Sequence, residues 1–293
     1  MAMTHRKAVG AMLLATLMWS IAGVATRHLD TARSFEVTLW RSLFCSIALA
    51  LLLGLKRGPV PLLRSLRNGG ARLWISGLCW TVMFTAFMLA LTLTTVANVL
   101  VTMALAPLLT ALLSRLLLGH RLALRTWVAI VVAGAGIAWM YAREFSAVDP
   151  RHLLGTAVAL CVPLAAAANW TVLQHNRGAG SGDMLPAVLI GALLSTLITL
   201  PLALPLAASR HDLLLLAMLG VFQLAVPCLI AVAAARVLSA PEASLLSLLE
   251  VVFGVAWAWL GANEAPSVPV LGGGALVLLA LAGNEAAALH RQR

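Results

Sequence analysis

The stretch "SLLSLLEVVFGVAWAWLGANE", residues 244–264, places one acidic residue, Glu250, in the middle of an apolar run. A run of about 20 apolar residues is long enough to cross a membrane as a helix. On insertion scales, an acidic residue at the centre of such a helix costs about 2.5–3.5 kcal/mol. Glu250 is therefore expected either to take part in the function or to form a hydrogen bond or ion pair inside the protein.

The composition of the whole chain excludes a water-soluble fold. Of its 293 residues, 62% are hydrophobic and only 10% are charged, and the mean hydropathy is +0.99. Soluble domains carry about 25% charged residues. The formal charge of +10 comes from basic residues that lie between apolar runs instead of forming one stripe. We therefore predict a multi-pass membrane protein in contact with the lipid bilayer, with no nucleic-acid partner.

The cysteines do not indicate a metal site or a disulfide framework. All four lie inside apolar runs, without a nearby Cys or His at metal-ligand spacing. A cysteine in such a position often behaves as a small buried hydrophobic residue. No metal or cofactor is predicted. The residues concerned are Cys45, Cys79, Cys161 and Cys228.

Breaks rich in Gly, Pro, Arg and Asp divide the chain into ten apolar segments, each long enough for a membrane helix. The first follows "HRK" and is interpreted as a retained helix, since more hydrophobic segments follow it. The longest break, "KRGPVPLLRSLRNGGAR", is strongly basic. The predicted helices cover residues 8–26, 35–55, 73–92, 95–118, 124–142, 152–175, 184–206, 212–235, 240–261 and 267–289.

The distribution of Lys and Arg predicts the orientation. If the N-terminus is cytoplasmic, fourteen of these residues lie at inner ends and loops, against five at outer ones. Cytoplasmic loops of membrane proteins carry an excess of Lys and Arg. Both termini are therefore predicted to be cytoplasmic, which in a bacterium means the inner membrane.

The two halves of the chain resemble each other. At an offset of 144 residues, "LVTMALAPLLTALLSRLLLGHR" (100–121) aligns with "SLLSLLEVVFGVAWAWLGANEA" (244–265), and Pro107 falls on Val251. "GVATRH" (23–28) aligns with "WTVLQH" (170–175) at a slightly larger offset. Five helices are an odd number, so the second unit, 146–293, enters the membrane from the side opposite to the first, 1–145. Inverted repeats are typical of secondary transporters, which bind substrate near the midplane.

The pattern "MALAP…LLLGH" in the first half, "LLEVV…LGANE" in the second and the opening "LLATLMWS" resembles the drug/metabolite transporter superfamily, in particular its EamA-type members. That family usually has "LEP" in the ninth helix, where this chain has Leu249-Glu250-Val251, and an acid where this chain has His120. The resemblance implies an all-α fold of ten helices, with helices one to four and six to nine around a central cavity. Helices five and ten would lie outside, and the glycines of 134–136 and 272–274 would let helices approach closely.

Two ionisable residues are candidates for the cavity. Glu250 is interpreted as a structural acceptor, as a proton carrier or as a partner of a substrate amine. Arg41, about six residues from the outer end of helix two, could bind a substrate carboxylate through its guanidinium group. Alternatively, Arg41 pairs with Glu36 or with outer lipid headgroups.

Polar and aromatic side chains complete the candidate set. The polar residues could line a water-filled cavity or hydrogen-bond to neighbouring helices. The tryptophans could stack on an aromatic or cationic substrate or could fill the core. The candidates are Trp19, Trp80, Asn98, Thr102, Asn169, Trp170, Gln223 and Ser247.

The resemblance implies a secondary transporter that works by alternating access. Family habit, together with one acid, one arginine and several tryptophans among the cavity candidates, predicts the export of amino acids or similar small metabolites. No GxxxxGK[ST] loop occurs, so ATP is not expected to drive transport directly. One alternative is a flippase for lipids or lipid-linked sugars with the same fold. The other is a membrane-embedded enzyme, although HExxH and GxSxG motifs are absent from the sequence. Because both repeats lie in one chain, a monomer is expected to suffice.

Overall fold

A computed structural model describes residues 3–290, apart from 27, 33, 94–98, 100–101, 104, 120–122, 141–149, 179–181 and 263–267. Its regular structure in the described residues is helical. The helices are α1 (His5–Trp19), α2 (Ala22–Thr26), α3 (Ser34–Arg57), α4 (Pro59–Asn68), α5 (Gly70–Leu93), α6 (Ala106–Leu118), α7 (Leu124–Met140), α8 (Pro150–Gly178), α9 (Pro186–Thr199), α10 (Arg210–Met218), α11 (Val226–Ala234), α12 (Ala240–Ser247), α13 (Leu249–Ala262) and α14 (Val268–His290). A π-helical segment, Leu219–Ala225, joins α10 to α11.

These helices form the ten predicted membrane spans. Spans 1, 8 and 9 consist of α1–α2, α10–α11 and α12–α13, whereas spans 2 to 7 are α3, α5, α6, α7, α8 and α9, and span 10 is α14. Five helical stretches are long and apolar enough to cross a membrane by themselves, and shorter apolar helices accompany them. The prediction of an all-α membrane protein with ten helices is confirmed.

The largest differences from the prediction are at the end of span 7 and in the basic break after span 2. Span 7 ends at Thr199 instead of residue 206, because Pro201 and Pro205 lack the amide hydrogens that a continuing helix needs. The basic break after span 2 contains a helix of its own, α4, which begins at Pro59 after Gly58 with φ +83°. Leu62 of α4 is buried against the bundle while Leu63 is exposed.

Spans 5 and 10 pack closely against each other, as the glycines predicted. A Cβ atom at Gly136 would lie 2.7 Å from the carbonyl oxygen of Gly273, and one at Gly272 would lie 2.9 Å from the Trp139 ring. The two backbones can therefore approach only because side chains are missing there. Gly134 and Gly274, in contrast, face open space.

Spans 4 and 9 are interrupted at equivalent positions. The helix of span 4 restarts at Ala106 and that of span 9 at Leu249, one residue apart when the halves are aligned at the 144-residue offset. Near both restarts the chain forms tight i→i+3 hydrogen bonds, from Leu105 to Thr102 and from Val251 to Leu248. Span 9 is thus interrupted although it carries Val251 where the first half carries Pro107.

Candidate substrate site in the helix bundle

The candidate site is built around the break in span 1. Helix α1 ends at Trp19 and α2 begins at Ala22, which leaves helix-terminal carbonyl groups that need partners. The side-chain amide of Gln223 donates to the Trp19 carbonyl oxygen at 3.1 Å. The Trp257 indole donates to the Ser20 hydroxyl at 3.0 Å. Spans 8 and 9 therefore hold the break of span 1 between them.

Span 8 is itself irregular at the point of contact. Gln223 lies in the π-helical segment Leu219–Ala225, and Pro227 follows four residues later. Because Pro227 has no amide hydrogen, it cannot donate a backbone hydrogen bond to this turn. Single π-helical turns are frequent at functional sites because they turn side chains out of the regular helical register. Here the irregularity places Gln223 against span 1.

Arg41 is buried in the bundle, with 3% of its surface exposed. Its Nη2 atom donates to the Phe84 carbonyl oxygen at 3.3 Å, while its Nε has no hydrogen-bond partner in the described residues. The expected alternative pairing with Glu36 is not formed. Instead, the Glu36 carboxylate accepts from the backbone amides of Ala207 and Ala208 at 2.8–3.0 Å. Arg41 thus keeps part of its donor capacity unused.

Glu250 lies in the first turn of α13, directly after the interruption of span 9. Its side chain is half-buried. Its charge interacts with that of Arg41 without forming an ion pair. In the described residues its carboxylate has no hydrogen-bond partner. A cation of the first repeat and an anion of the second therefore lie close enough for their charges to interact, without a direct ion pair.

The comparisons with known proteins fit this arrangement. The model of the EamA-like transporter family matches the chain twice, at residues 6–142 and 153–284. The chain belongs to the EamA-like transporter family. In this EamA-like transporter the two matches correspond to the two five-helix repeats. The protein is accordingly a multi-pass membrane transporter of small molecules of the drug/metabolite type, and the family is one of transporters rather than enzymes.

A solved structure described only as the crystal structure of a protein resembles this EamA-like transporter over its full length. The TM-score is 0.81 at 20% sequence identity, over 99% of this chain and 100% of the other. At this identity the likeness shows the fold alone. No curated protein matches the chain.

Other candidate residues of the EamA-like transporter lie in helix interfaces. Asn169 is fully buried and accepts from the Ser76 hydroxyl at 2.6 Å, between spans 3 and 6, and Trp170 is buried beside it. Trp80 stacks at a tilt on Phe84, with 5.5 Å between the ring centres, and its neighbour across the interface is Gly191. These contacts fit helix packing, so a role in substrate binding stays a prediction for all three residues.

Three further candidates belong to spans 4 and 9. Thr102 is buried just before the restart of span 4. Ser247 is half-buried at the end of α12, and its hydroxyl donates to the Ser244 carbonyl oxygen at 2.6 Å. Asn98 lies outside the described residues. The structure thus brings Trp19, Arg41, Gln223 and Glu250 together around one region.

Sequence analysis missed several groups at the site. Trp257 lies two helical turns after Glu250, at i+7, so it shares the Glu250 face, and this spacing could have identified it. Ser20 and the Phe84 carbonyl group carry no such signal, because their roles depend on tertiary contacts. The thiols of Cys45 and Cys228 lie within electrostatic range of Arg41, and the Trp19 indole faces the Cys228 sulfur.

Proposed function

We propose that this transporter exports amino acids or similar zwitterionic small metabolites by alternating access. The observation that carries the proposal is a buried arginine with an unpartnered Nε, Arg41, whose charge interacts with that of the Glu250 carboxylate without a direct ion pair. An amino acid carries one carboxylate and one ammonium group, so it complements both residues at once.

The chemistry of each residue favours this orientation of the substrate. A guanidinium group binds a carboxylate through two parallel hydrogen bonds, and the Nε of Arg41 is available for one of them. A glutamate carboxylate accepts from an ammonium group. Because the site is buried, charged hydrogen bonds are stronger there than in water. Trp19 borders the same region and suits a neutral or aromatic side chain.

Alternating access is supported by the irregular helices at the site. Spans 1, 4 and 9 are interrupted, and span 8 contains the π-helical segment. Discontinuous helices near the midplane are typical of transporters built from inverted repeats. We assign the two repeats to residues 1–145 and 146–293, which exchange inner and outer access around the site.

The test is counterflow in proteoliposomes. Vesicles loaded with one unlabelled amino acid are expected to accumulate the matching labelled compound. Glu250→Gln and Arg41→Lys should each lower exchange at least about tenfold, since a charged hydrogen bond contributes about 1.5–3 kcal/mol. Glu242→Gln is the matched control, because this carboxylate lies in the same span but bonds to His5 at 2.6 Å at the inner end. Absence of exchange across the whole amino-acid panel would overturn the substrate class.

We further infer that the protein works as a monomer in the bacterial inner membrane with both termini in the cytoplasm. The excess of Lys and Arg on one side supports this orientation. Labelling of single introduced cysteines in intact cells tests it: a cysteine at position 206 should react with a membrane-impermeant maleimide and one at position 67 should not.

A further inference from the structure

A cavity lies at the inner ends of the helices. Its volume is about 610 Å³, within the roughly 300–1,000 Å³ that small-molecule pockets occupy. It is separate from Arg41, because Arg57 follows Arg41 by 16 positions of α3, a rise of about 24 Å. Residues from α4, the start of α5, the end of α8 and the loop between spans 6 and 7 line it, among them Pro61, Arg64, Asn68, Arg72, Asn176 and Asp183.

The charge around this cavity is strongly positive. Arg64 and Arg72 line it directly. Asp183 lines it too, but its carboxylate is already paired with Arg57 and with Arg236, the latter at 2.6 Å. Among the described residues, one carboxylate lies with four guanidinium groups, an excess of three positive charges. Such an excess in a partly enclosed space attracts an anion.

The first turn of α5 adds donors to the same wall. Gly70, Ala71 and Arg72 border the cavity, and the amides of a first helical turn have no acceptor within their own helix. Together with the arginine side chains, these groups provide the donors that a phosphate group requires. Asn176 fixes the opposite wall, since its side-chain amide donates to the Gly182 carbonyl oxygen at 2.9 Å.

Helix α4 connects the cavity to the membrane surface. Pro61, Arg64 and Asn68 lie on its cavity face. Leu62 packs against the bundle, whereas Val60 and Leu63 are exposed on the remaining side, at 65% and 68%. An amphipathic helix with exposed apolar residues beside arginines lies in the interface between headgroups and acyl chains. The mouth of the cavity is therefore expected at the level of the phospholipid headgroups.

We propose that this cavity binds the phosphate group of an anionic phospholipid headgroup. The phosphate is held by Arg64 and Arg72, and the acyl chains lie along Val60 and Leu63. This inference does not depend on the proposed substrate, because the cavity is separate from Arg41 and Glu250. Basic pockets at the cytoplasmic ends of membrane helices bind anionic headgroups elsewhere by the same chemistry.

The experiment measures thermal unfolding of the full chain in a non-ionic detergent. The probes are dioctanoyl-phosphatidylglycerol, dioctanoyl-phosphatidylcholine and inorganic phosphate at equal concentrations. Phosphatidylglycerol at saturating concentration should raise the Tm by about 4 °C or more, and phosphatidylcholine should not. Arg64→Gln and Arg72→Gln should each weaken the apparent affinity about tenfold. Arg64→Lys keeps the positive charge and should retain part of the affinity for phosphatidylglycerol.

Arg67→Gln is the matched control, because this arginine lies on the same helix but does not line the cavity. Its response to phosphatidylglycerol should equal that of the unaltered chain. An equal loss of affinity for phosphatidylglycerol in Arg67→Gln and Arg64→Gln would mean that the lipid is attracted by surface charge in general, and this would overturn the proposed site. Inorganic phosphate that stabilises as strongly as phosphatidylglycerol would keep the phosphate site but overturn the lipid as its source. No stabilisation by either compound would overturn the proposal altogether.

Discussion

Glu36 and Asp183 occupy equivalent positions in the two repeats, 147 residues apart, yet their carboxylates hold different kinds of partner. Glu36 is 2% exposed and accepts from the Ala207 and Ala208 amides, so it ties span 2 to the loop between spans 7 and 8. Asp183 is partly exposed and pairs with the side chains of Arg57 and Arg236. The outer contact is therefore buried and uses backbone donors, whereas the inner contact is an ion-pair cluster open to water.

Asp212 is a second acidic residue that links the two repeats, here from span 8 back to the first repeat. Asp212 caps its own helix with Ser209, and its carboxylate also accepts from the amides of Asp30, Thr31 and Ala32 at 2.7–3.0 Å. Span 8 is thus tied to the loop between spans 1 and 2. Glu36 and Asp212 therefore each bind backbone amides in a loop of the other repeat, and we call these two contacts together the clamp.

Replacing Glu36 by Gln is expected to destabilise the protein by about 1.5–3 kcal/mol, since it removes the charge that strengthens several buried hydrogen bonds. Thermal unfolding in detergent measures the effect. Asp30→Asn is the control, because the Asp30 side chain is 62% exposed and contacts only His211 among described residues. Equal Tm values for Glu36→Gln and the unaltered chain would contradict the clamp.

Replacing Asp183 by Asn should cost less, about 0.2–1 kcal/mol, because partly exposed ion pairs are screened by water. The loss should shrink further in high salt, where the Debye length falls to about 3 Å. Unfolding at low and at 1 M NaCl tests this difference. A loss that is insensitive to salt would mean that Asp183 acts through hydrogen bonds instead.

Gly136→Ala should separate spans 5 and 10, since the new Cβ would lie 2.7 Å from the Gly273 oxygen. Overpacking of this kind costs about 1–3 kcal/mol. Gly134→Ala is the matched control: it faces open space and should gain up to about 1 kcal/mol of helix propensity. The comparison uses the Tm of both variants. The opposite order of stabilities would refute the close contact.

Gln223→Leu should lower both stability and exchange. It leaves the Trp19 carbonyl oxygen without its donor at 3.1 Å, which costs about 1–3 kcal/mol for a buried group. Trp257→Phe removes the neighbouring bond to Ser20. Because both bonds hold the same break, their effects on Tm should not add in the double variant. Strict additivity would show that the two bonds act independently.

The fold was predictable because a membrane restricts the choices of the chain. Backbone groups in lipid must form hydrogen bonds within their own segment, so apolar runs of sufficient length had to become helices. Counting these runs gave the ten helices, and their spacing gave the two repeats. The close approach of spans 5 and 10 was also predictable from "GAG" and "GGG". The end of span 7 was missed because apolar composition outweighed Pro201 and Pro205 in the interpretation.

The candidate site was predictable only in part. Intramembrane charge identified Arg41 and Glu250, since such residues are costly and need a reason. Trp80, Asn169 and Trp170 are buried where helices meet, and their role in substrate binding stays a prediction. A tryptophan or an asparagine in a helix serves packing or a cavity equally well, and its neighbours decide which.

The sequence by itself determined the membrane location, the ten helices and the duplication, because hydropathy and its spacing are local properties of the chain. Only the tertiary structure decided that the break of span 1 meets Gln223 and Trp257, that Glu36 binds the amides of Ala207 and Ala208 instead of Arg41, and that the two ends of the bundle differ. The bonds from spans 8 and 9 to span 1, and those from Ala207 and Ala208 to Glu36, join residues more than 150 positions apart in the chain. They depend on how helices pack and on which buried donors find acceptors, and no periodicity along the sequence records that.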